Sequence, residues 1–122
     1  MNRTKDRIEL ENRIMAFGLA TLKMLREVPA GVELRYIRKR LTQSATSTGV
    51  LYRLANLTKS RVEHAAGIAA ARREMAESEY WLGLIKELKA DLPYIVQLHR
   101  ESMELLGLFA KLQLAAERRK GQ

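Results

Sequence analysis

The side chains best suited to chemistry in this sequence are basic, and a stretch of them contains no acidic residue. The stretch runs from Leu34 to Val62 and contains Arg35, Arg38, Lys39, Arg40, Arg53, Lys59 and Arg61. Lysine and arginine side chains in a row on a helix can follow a phosphate backbone, and each phosphate that they neutralise adds salt-dependent affinity. We therefore expect these residues to contact RNA or DNA. The alternative is a solvated face whose charges pair with acids of the following helix.

Two tyrosines in the same stretch have rings that could stack on bases. Tyr36 and Tyr52 both lie near the apolar face of the predicted helix, however. Core packing is therefore the expected role for both.

The residues that usually carry catalysis or bind metal ions form no recognisable site. His64 and His99 are the only histidines, and the residues three before them are Arg61 and Val96. The Glu-x-x-His pairs of di-iron helical bundles are thus absent. No phosphate-binding glycine loop and no nucleophile with a paired base occurs. The sequence predicts no catalytic residue, no metal ion and no cofactor, and hence a protein that is not an enzyme.

A run of acids in the second half of the chain is the one arrangement that could bind a hard cation. It contains Glu74, Glu77 and Glu79, and it directly follows Arg72 and Arg73. Acids and bases mixed in this way are common on exposed helices, where they form ion pairs. We therefore expect a solvated ion-pair face here.

The overall composition indicates one globular domain with affinity for anions. The chain has 122 residues, 47% of them apolar, and its 22 Lys+Arg against 14 Asp+Glu give a net charge of +8. This charge balance attracts nucleic acids or other anionic surfaces. There is no cysteine, and no apolar run approaches the roughly 18 residues of a membrane span. Residues 1–7 are charged and no signal-like apolar core follows, so the expected location is the cytoplasm.

Apolar residues recur at spacings of three and four along almost the whole chain, which predicts an all-α protein. The pattern favours four helices with short connections, packed as an antiparallel up-down bundle in a single domain, residues 1–122. Pro29 should end the first helix, Ser60 and Glu63 should form a capping box, and Asp91 should cap the fourth helix with Pro93 in its first turn. The predicted helices span residues 5–28, 32–57, 61–88 and 92–118.

Residues 42–49, Thr-Gln-Ser-Ala-Thr-Ser-Thr-Gly, have a composition that is typical of a loop. The apolar spacing nevertheless continues through them in phase, from Ile37 and Leu41 to Tyr52. We therefore expect the middle of one long helix, whose small side chains let a neighbouring helix approach closely. The alternative is two short helices joined by a linker.

Several leucines fall outside the main apolar faces, and a monomeric bundle would expose many of them. Large exposed apolar patches usually mark an interface, so we expect self-association, most simply as a closed ring or a dimer. These leucines are Leu22, Leu34, Leu51, Leu54, Leu57, Leu84, Leu108 and Leu114.

Two segments resemble a known family. Residues 41–49, LTQSATSTG, and residues 73–82, REMAESEYWL, are similar to motifs of the four-helix-bundle proteins of the 23S rRNA intervening-sequence type. Those motifs read Arg-Ser-x-Thr-Ser-x-x-Ala-Asn and Glu-Ala-x-Glu-Thr-x-Tyr-Trp-Leu. The first helix with Pro29 also fits, so the resemblance covers most of the chain.

The resemblance implies a non-enzymatic bundle that assembles as a homopentamer and is linked to nucleic acid. A related branch comprises the accessory proteins of diversity-generating retroelements, which are strongly basic and bind a reverse transcriptase and RNA. After Gly49, this chain has Leu51, Arg53 and Leu54 where the family pattern has Asn and Glu. The change makes the surface more basic and more apolar, which favours the nucleic-acid-handling branch.

Two functions therefore remain open. The first is a basic, ring-forming accessory protein that binds RNA or DNA, with a reverse transcriptase as a possible partner. The second is a structural oligomer or protein-binding adaptor of the rRNA intervening-sequence family, in which the charge serves solubility only.

Overall fold

The computed structural model describes residues 3–122, which form four α-helices and no strand. Met1 and Asn2, part of the charged N-terminal segment, lie outside the described residues. Each helix packs against the next along the chain, and the first also packs against the fourth, more loosely. The predicted four-helix bundle is confirmed. The helices are α1 (Arg3–Leu25), α2 (Val32–Leu57), α3 (Arg61–Leu88) and α4 (Ile95–Lys120).

Helix α2 runs without interruption through residues 42–49, so the linker alternative is wrong. The threonine hydroxyls in this segment bond within their own helix. Thr46 and Thr48 donate to the carbonyl oxygens of Thr42 and Ser44 at 2.7 and 2.9 Å. Their polar groups are therefore satisfied without breaking the backbone ladder, which is how small hydroxyl residues are tolerated inside a helix.

The small side chains bring α2 and α3 close together, as predicted. The Ser78 hydroxyl donates to the Ser44 hydroxyl at 2.8 Å, and both residues are buried. Nearer the other end of the same interface, Gly67 lies against Ala55. A Cβ atom added to Gly67 would lie only 2.7 Å from the Ala55 Cβ. This contact explains a glycine in mid-helix, where it otherwise costs about 1 kcal/mol relative to alanine.

The α-helical part of α1 ends at Leu25, three residues earlier than predicted. The chain then tightens, and the amide of Val28 donates to the carbonyl of Leu25 at 3.2 Å. Pro29 is the physical reason, because it disfavours the helical conformation in the residue before it. Val28 is nevertheless buried, so the tight turn still contributes to the core.

The predicted start of the fourth helix is wrong. Helix α4 begins at Ile95, and its N-cap is Tyr94 in the left-handed conformation with φ of 70°. Asp91 is exposed and lies 3.8 Å from the Lys89 amine instead of capping the helix. Pro93 keeps the preceding Leu92 out of the helical region. Leu92 instead inserts into the core from a turn.

The predicted capping box at α3 is half right. The Ser60 hydroxyl accepts a bond from the Glu63 amide at 3.1 Å, as expected. The Glu63 carboxylate does not return to Ser60, because it accepts a bond from the Thr58 hydroxyl at 2.8 Å. The Ser60 amide donates to Thr58 as well, at 3.2 Å.

One apolar core runs along the bundle axis and receives side chains from all four helices. Its largest fully buried members include Ile14, Leu41, Met75, Leu82 and Phe109. Within the part of the chain that the structure describes, no helix is long and apolar enough to cross a membrane.

Candidate nucleic-acid interface

Helix α2 carries most of the predicted nucleic-acid contacts. Lys59 follows in the connection to α3, and Arg61 is the first residue of α3. At a rise of 1.5 Å per residue, Arg35 and Arg53 are about 27 Å apart along α2. The predicted residues on α2 are Arg35, Arg38, Lys39, Arg40 and Arg53.

Two of these arginines bind neighbouring elements instead of facing solvent freely. Arg38 donates through Nη2 to the Val28 carbonyl at 2.7 Å and so ties the α1–α2 connection to α2. Arg40 forms an ion pair with Glu77 of α3, with 2.9 Å between its Nη2 and the Glu77 Oε2. The alternative interpretation of the basic stretch, pairing with acids of the next helix, is correct for Arg40.

Two further candidates also have partners within the chain. Arg53 lies 3.3 Å from the Glu11 carboxylate of α1, and Arg61 donates to the Gln122 carbonyl at 3.1 Å. Both contacts are exposed to solvent, and only the Glu11 carboxylate offsets a positive charge, that of Arg53.

The remaining candidates are exposed. Within residues 3–122, Arg35, Lys39 and Lys59 have neither an ion pair nor a side-chain hydrogen bond. Arg35 and Lys39 are four residues apart on α2 and therefore lie on the same side of the helix. Together with Lys59, these two side chains are the freest positive charges of the predicted set.

Glu77 is the centre of a polar network between α2 and α3. Its carboxylate accepts a bond from the Trp81 indole at 2.9 Å and one from Arg40 at 2.9 Å. The bond from Trp81 and the bond and charge of Arg40 lower the pKa of Glu77, although partial burial opposes them. The same contact raises the pKa of Arg40. Both groups are therefore charged at neutral pH.

The predicted ion-pair face around Glu74, Glu77 and Glu79 has different partners from those expected. Glu79 lies 2.8 Å from His99 of α4, and Arg72 donates to Gln113 at 3.0 Å. Glu77 and Glu79 therefore hold α3 to α2 and to α4, respectively. Among the described residues, no three acidic or histidine side chains lie close enough together to hold a metal ion.

Three aromatic side chains beside this network form an exposed cluster. The Trp81 ring lies edge-on to Tyr36 and to Tyr80, at centroid distances of 6.0 and 5.2 Å. Tyr36 and Tyr80 expose 56% and 58% of their surface. We call these three rings together with Arg35, Lys39 and Arg40 of α2 the aromatic–basic patch.

The expectation that Tyr36 packs into the core is wrong, whereas the same expectation for Tyr52 is confirmed. Tyr36 directly precedes the buried Ile37, so its side chain points about 100° around the helix from the core. Tyr52 is buried and packs edge-on against Phe109 at 5.6 Å. Burial raises the pKa of Tyr52, and a bond from Asn56 opposes the shift.

Tyr80 and Trp81 were not predicted as site residues, because the sequence distinguished them only as part of the family motif. A signal was available, since Tyr80 lies between the inward-facing Ser78 and Leu82 and so faces outward. Its proximity to Tyr36 depends on the packing of α2 against α3, which the sequence pattern does not contain.

The second surface feature is an apolar cleft, of which the sequence indicated only the leucines outside the main apolar faces. Between α1 and α2 lies a cleft of about 520 Å³, which we call the α1–α2 groove. Its walls carry large apolar side chains that are substantially exposed, up to 72% for Leu57. These side chains are Met15, Leu19 and Leu22 of α1 and Val50, Leu54 and Leu57 of α2.

Residues 3–122 form a basic four-helix bundle whose surface carries the aromatic–basic patch and the α1–α2 groove. A comparison with models of protein families, with curated proteins and with solved structures found no match. The resemblance to the rRNA intervening-sequence proteins therefore stays a prediction.

Proposed function

We propose that the protein is a non-enzymatic accessory protein that binds RNA or DNA through the aromatic–basic patch, in the cytoplasm. The observation that supports this proposal best is the exposure of Tyr36 and Tyr80 next to unpaired basic side chains of α2. Aromatic rings beside cationic groups are the combination that single-stranded nucleic acids bind, because bases stack on the rings while phosphates bind the cations.

The geometry of the rings suits stacking. Both tyrosines meet the edge or face of Trp81 at nearly a right angle, with interplanar angles of 82° and 74°. The three rings therefore support each other in a fixed arrangement, while Tyr36 and Tyr80 remain accessible. Base–aromatic stacking contributes about 1–3 kcal/mol per base when measured by alanine substitution.

The charges around the rings are arranged for phosphate contact. Lys39 and Arg40 follow Tyr36 by three and four residues, so they lie on the same side of α2. The Glu77 ion pair fixes the position of Arg40, whereas Lys39 and Arg35 are free to bind phosphates. The net charge of +8 adds long-range attraction.

Titration of a labelled single-stranded RNA in a fluorescence anisotropy experiment tests the proposal. We expect affinity to fall steeply with salt, and Arg35→Glu with Lys39→Glu to weaken it by about tenfold or more. Tyr36→Ala should weaken it by about fivefold or more at every salt concentration. Trp81 is the only tryptophan, so RNA bound at the patch should also quench the intrinsic fluorescence.

Matched controls come from other faces of the bundle. Tyr94→Ala removes a ring that is 69% exposed at the α3–α4 connection, and Arg100→Glu with Lys111→Glu makes the same charge change on α4. Both should bind RNA nearly as well as the wild type. Equal losses in control and patch variants would reduce the interaction to non-specific charge, and absence of binding at low salt would refute the proposal.

The finer identity of the function rests on the resemblance. We propose a homopentameric ring that acts with a reverse transcriptase of a diversity-generating retroelement. Sedimentation of the purified chain tests the ring, and co-purification with a reverse transcriptase encoded beside its gene tests the partnership.

The second candidate function is a structural oligomer or protein-binding adaptor that makes no contact with nucleic acid. The observation that favours it is an outward-facing apolar stripe on α4, with Val96, Met103 and Leu114 exposed on one side of the helix. Gly107 lies in the same stripe, with open space where its Cβ atom would be. A stable oligomer that binds no RNA at low salt would favour this candidate.

A further inference from the structure

The α1–α2 groove is separate from the aromatic–basic patch and has no role in the proposed nucleic-acid contact. Its lining is almost entirely apolar or small, and Glu11, its only acid, is paired with Arg53. Exposed apolar side chains that lie together often mark an interaction site. Here the exposed side chains lie on both walls of a cleft, which is a shape that receives a partner's side chains.

The dimensions of the groove match a short helix. On α1 the lining runs from Glu11 to Leu22, which at 1.5 Å per residue is a length of about 17 Å. A helix of about three turns has the same length. Gly18 and Gly49 lie in the floor, where a Cβ atom would contact the Ala45 carbonyl or the Ile14 side chain. The floor is therefore low, and the apolar walls stand above it.

One end of the groove is positively charged. A shallow cleft continues from Leu22 and is lined by Arg26 and Arg38. Arg38 donates its Nη2 to the Val28 carbonyl, but its buried Nε has no hydrogen-bond partner among the described residues. Arg26 is exposed and unpaired within the same part of the chain. A carboxylate at this end would pair with the exposed Arg26 guanidinium and offset the positive charge of Arg38.

We propose that the α1–α2 groove binds an acidic amphipathic helix of about three turns from a partner protein. The apolar face of that helix fills the groove, and an acidic residue at one end contacts Arg26 and Arg38. Apolar walls give affinity, and the charged end fixes the direction of the bound helix.

A second copy of the chain is a poorer occupant, because its exposed apolar stripe carries the wrong charge. Among the stripe residues of α4 are Arg100 and Lys111, both exposed. These cations would approach the basic end of the groove and repel it. A bilayer surface is also a poor fit, since the groove is concave.

The test uses the full chain and a fluorescein-labelled peptide of leucine and glutamate, about 12 residues long, with leucines at helical spacing. We expect Met15→Gln with Leu19→Gln to weaken its binding by more than about tenfold. The matched control is Met103→Gln with Leu114→Gln, which removes the same two residue types from α4 and should change affinity by less than about twofold. Arg26→Gln should weaken binding and reduce its salt dependence.

Other results would overturn the proposal. A scrambled peptide or one with lysine in place of glutamate that binds equally well would show that groove shape and charge do not matter. No binding of the designed peptide at about 100 µM protein would do the same. A self-association that only the groove variant abolishes, or groove-dependent binding to anionic vesicles without peptide binding, would assign the groove to another occupant. The groove variant should bind RNA like the wild type, so failure here leaves the nucleic-acid proposal intact.

Discussion

The contact between Gly67 and Ala55 makes a sharp prediction about the stability of the bundle. Alanine at position 67 would place two Cβ atoms 2.7 Å apart, whereas carbon atoms prefer about 3.5–4.0 Å. The Ala55 Cβ is bonded directly to the α2 backbone and cannot move away alone, so α2 and α3 must separate by about 1 Å. Overpacking of this kind costs about 1–3 kcal/mol, and the better helix propensity of alanine returns about 1 kcal/mol.

We therefore expect Gly67→Ala to lower the free energy of unfolding by about 1 kcal/mol. Gly107→Ala is the matched control, because open space surrounds the added methyl group on α4. That variant should raise the free energy of unfolding by about 0.5–1 kcal/mol. Urea denaturation followed by circular dichroism measures both, and the two midpoints should differ by about 1 M. If both glycine variants gain the same stability, the close approach of α2 and α3 is refuted. If the contact between the two Cβ atoms causes the loss of stability, adding Ala55→Gly should restore the stability of the Gly67→Ala variant.

Three further predictions concern buried or partly buried polar groups. Ser44→Ala leaves the Ser78 hydroxyl without its acceptor and should cost about 1–3 kcal/mol, and a double-mutant cycle with Ser78→Ala should show coupling between the two sites. The pKa of Glu77 is lowered in the folded state, chiefly by the bond from Trp81. The stability that ionised Glu77 contributes is therefore present above the ordinary pKa of glutamate and is lost as the pH falls through the pKa of Glu77 in the folded state. The stability difference between the wild type and Glu77→Gln, measured by urea denaturation, should therefore shrink on acidification; a constant difference would contradict this. Burial raises the pKa of Tyr52 in the folded protein. The stability that the neutral Tyr52 contributes is therefore present below the ordinary pKa of tyrosine and is lost as the pH rises through the pKa of Tyr52 in the folded state. In an absorbance titration at alkaline pH, Tyr52→Phe should remove the tyrosine component that ionises last.

The helices could be predicted from the sequence wherever apolar spacing decides the structure. The apolar spacing correctly predicted that α2 continues through residues 42–49. This periodicity of three and four residues is a local property and does not depend on the composition of the polar positions. The start of α4 depends instead on Pro93 and on the left-handed conformation of Tyr94, which no apolar spacing reveals. Turn geometry of this kind is set by packing of the flanking elements.

The candidate site was less predictable, because its charges are balanced by residues distant in sequence. Arg40 and Glu77 are 37 residues apart, and Arg53 and Glu11 are 42 apart. From the sequence, the basic residues of this stretch therefore had no acidic neighbours, although two of them form ion pairs in the fold. Tyr36 was wrongly expected in the core, although its position directly before Ile37 places its side chain outside the core. Its contact with Trp81 depends on the docking of α2 against α3.

The looser packing of α1 against α4 has a consequence for recognition in the α1–α2 groove. Helix α1 is one wall of that groove, and its other side borders a second cleft of about 440 Å³ against α4. An element with fewer packed neighbours opens at lower free energy, so amide exchange in α1 should be faster than in α2 or α3. Helix α1 can thus move outward when a bulkier side chain of a partner enters the groove. Selectivity for a partner would then come from the arginine-lined end, where Arg38 is tied to the Val28 carbonyl, while the apolar part tolerates sequence variation.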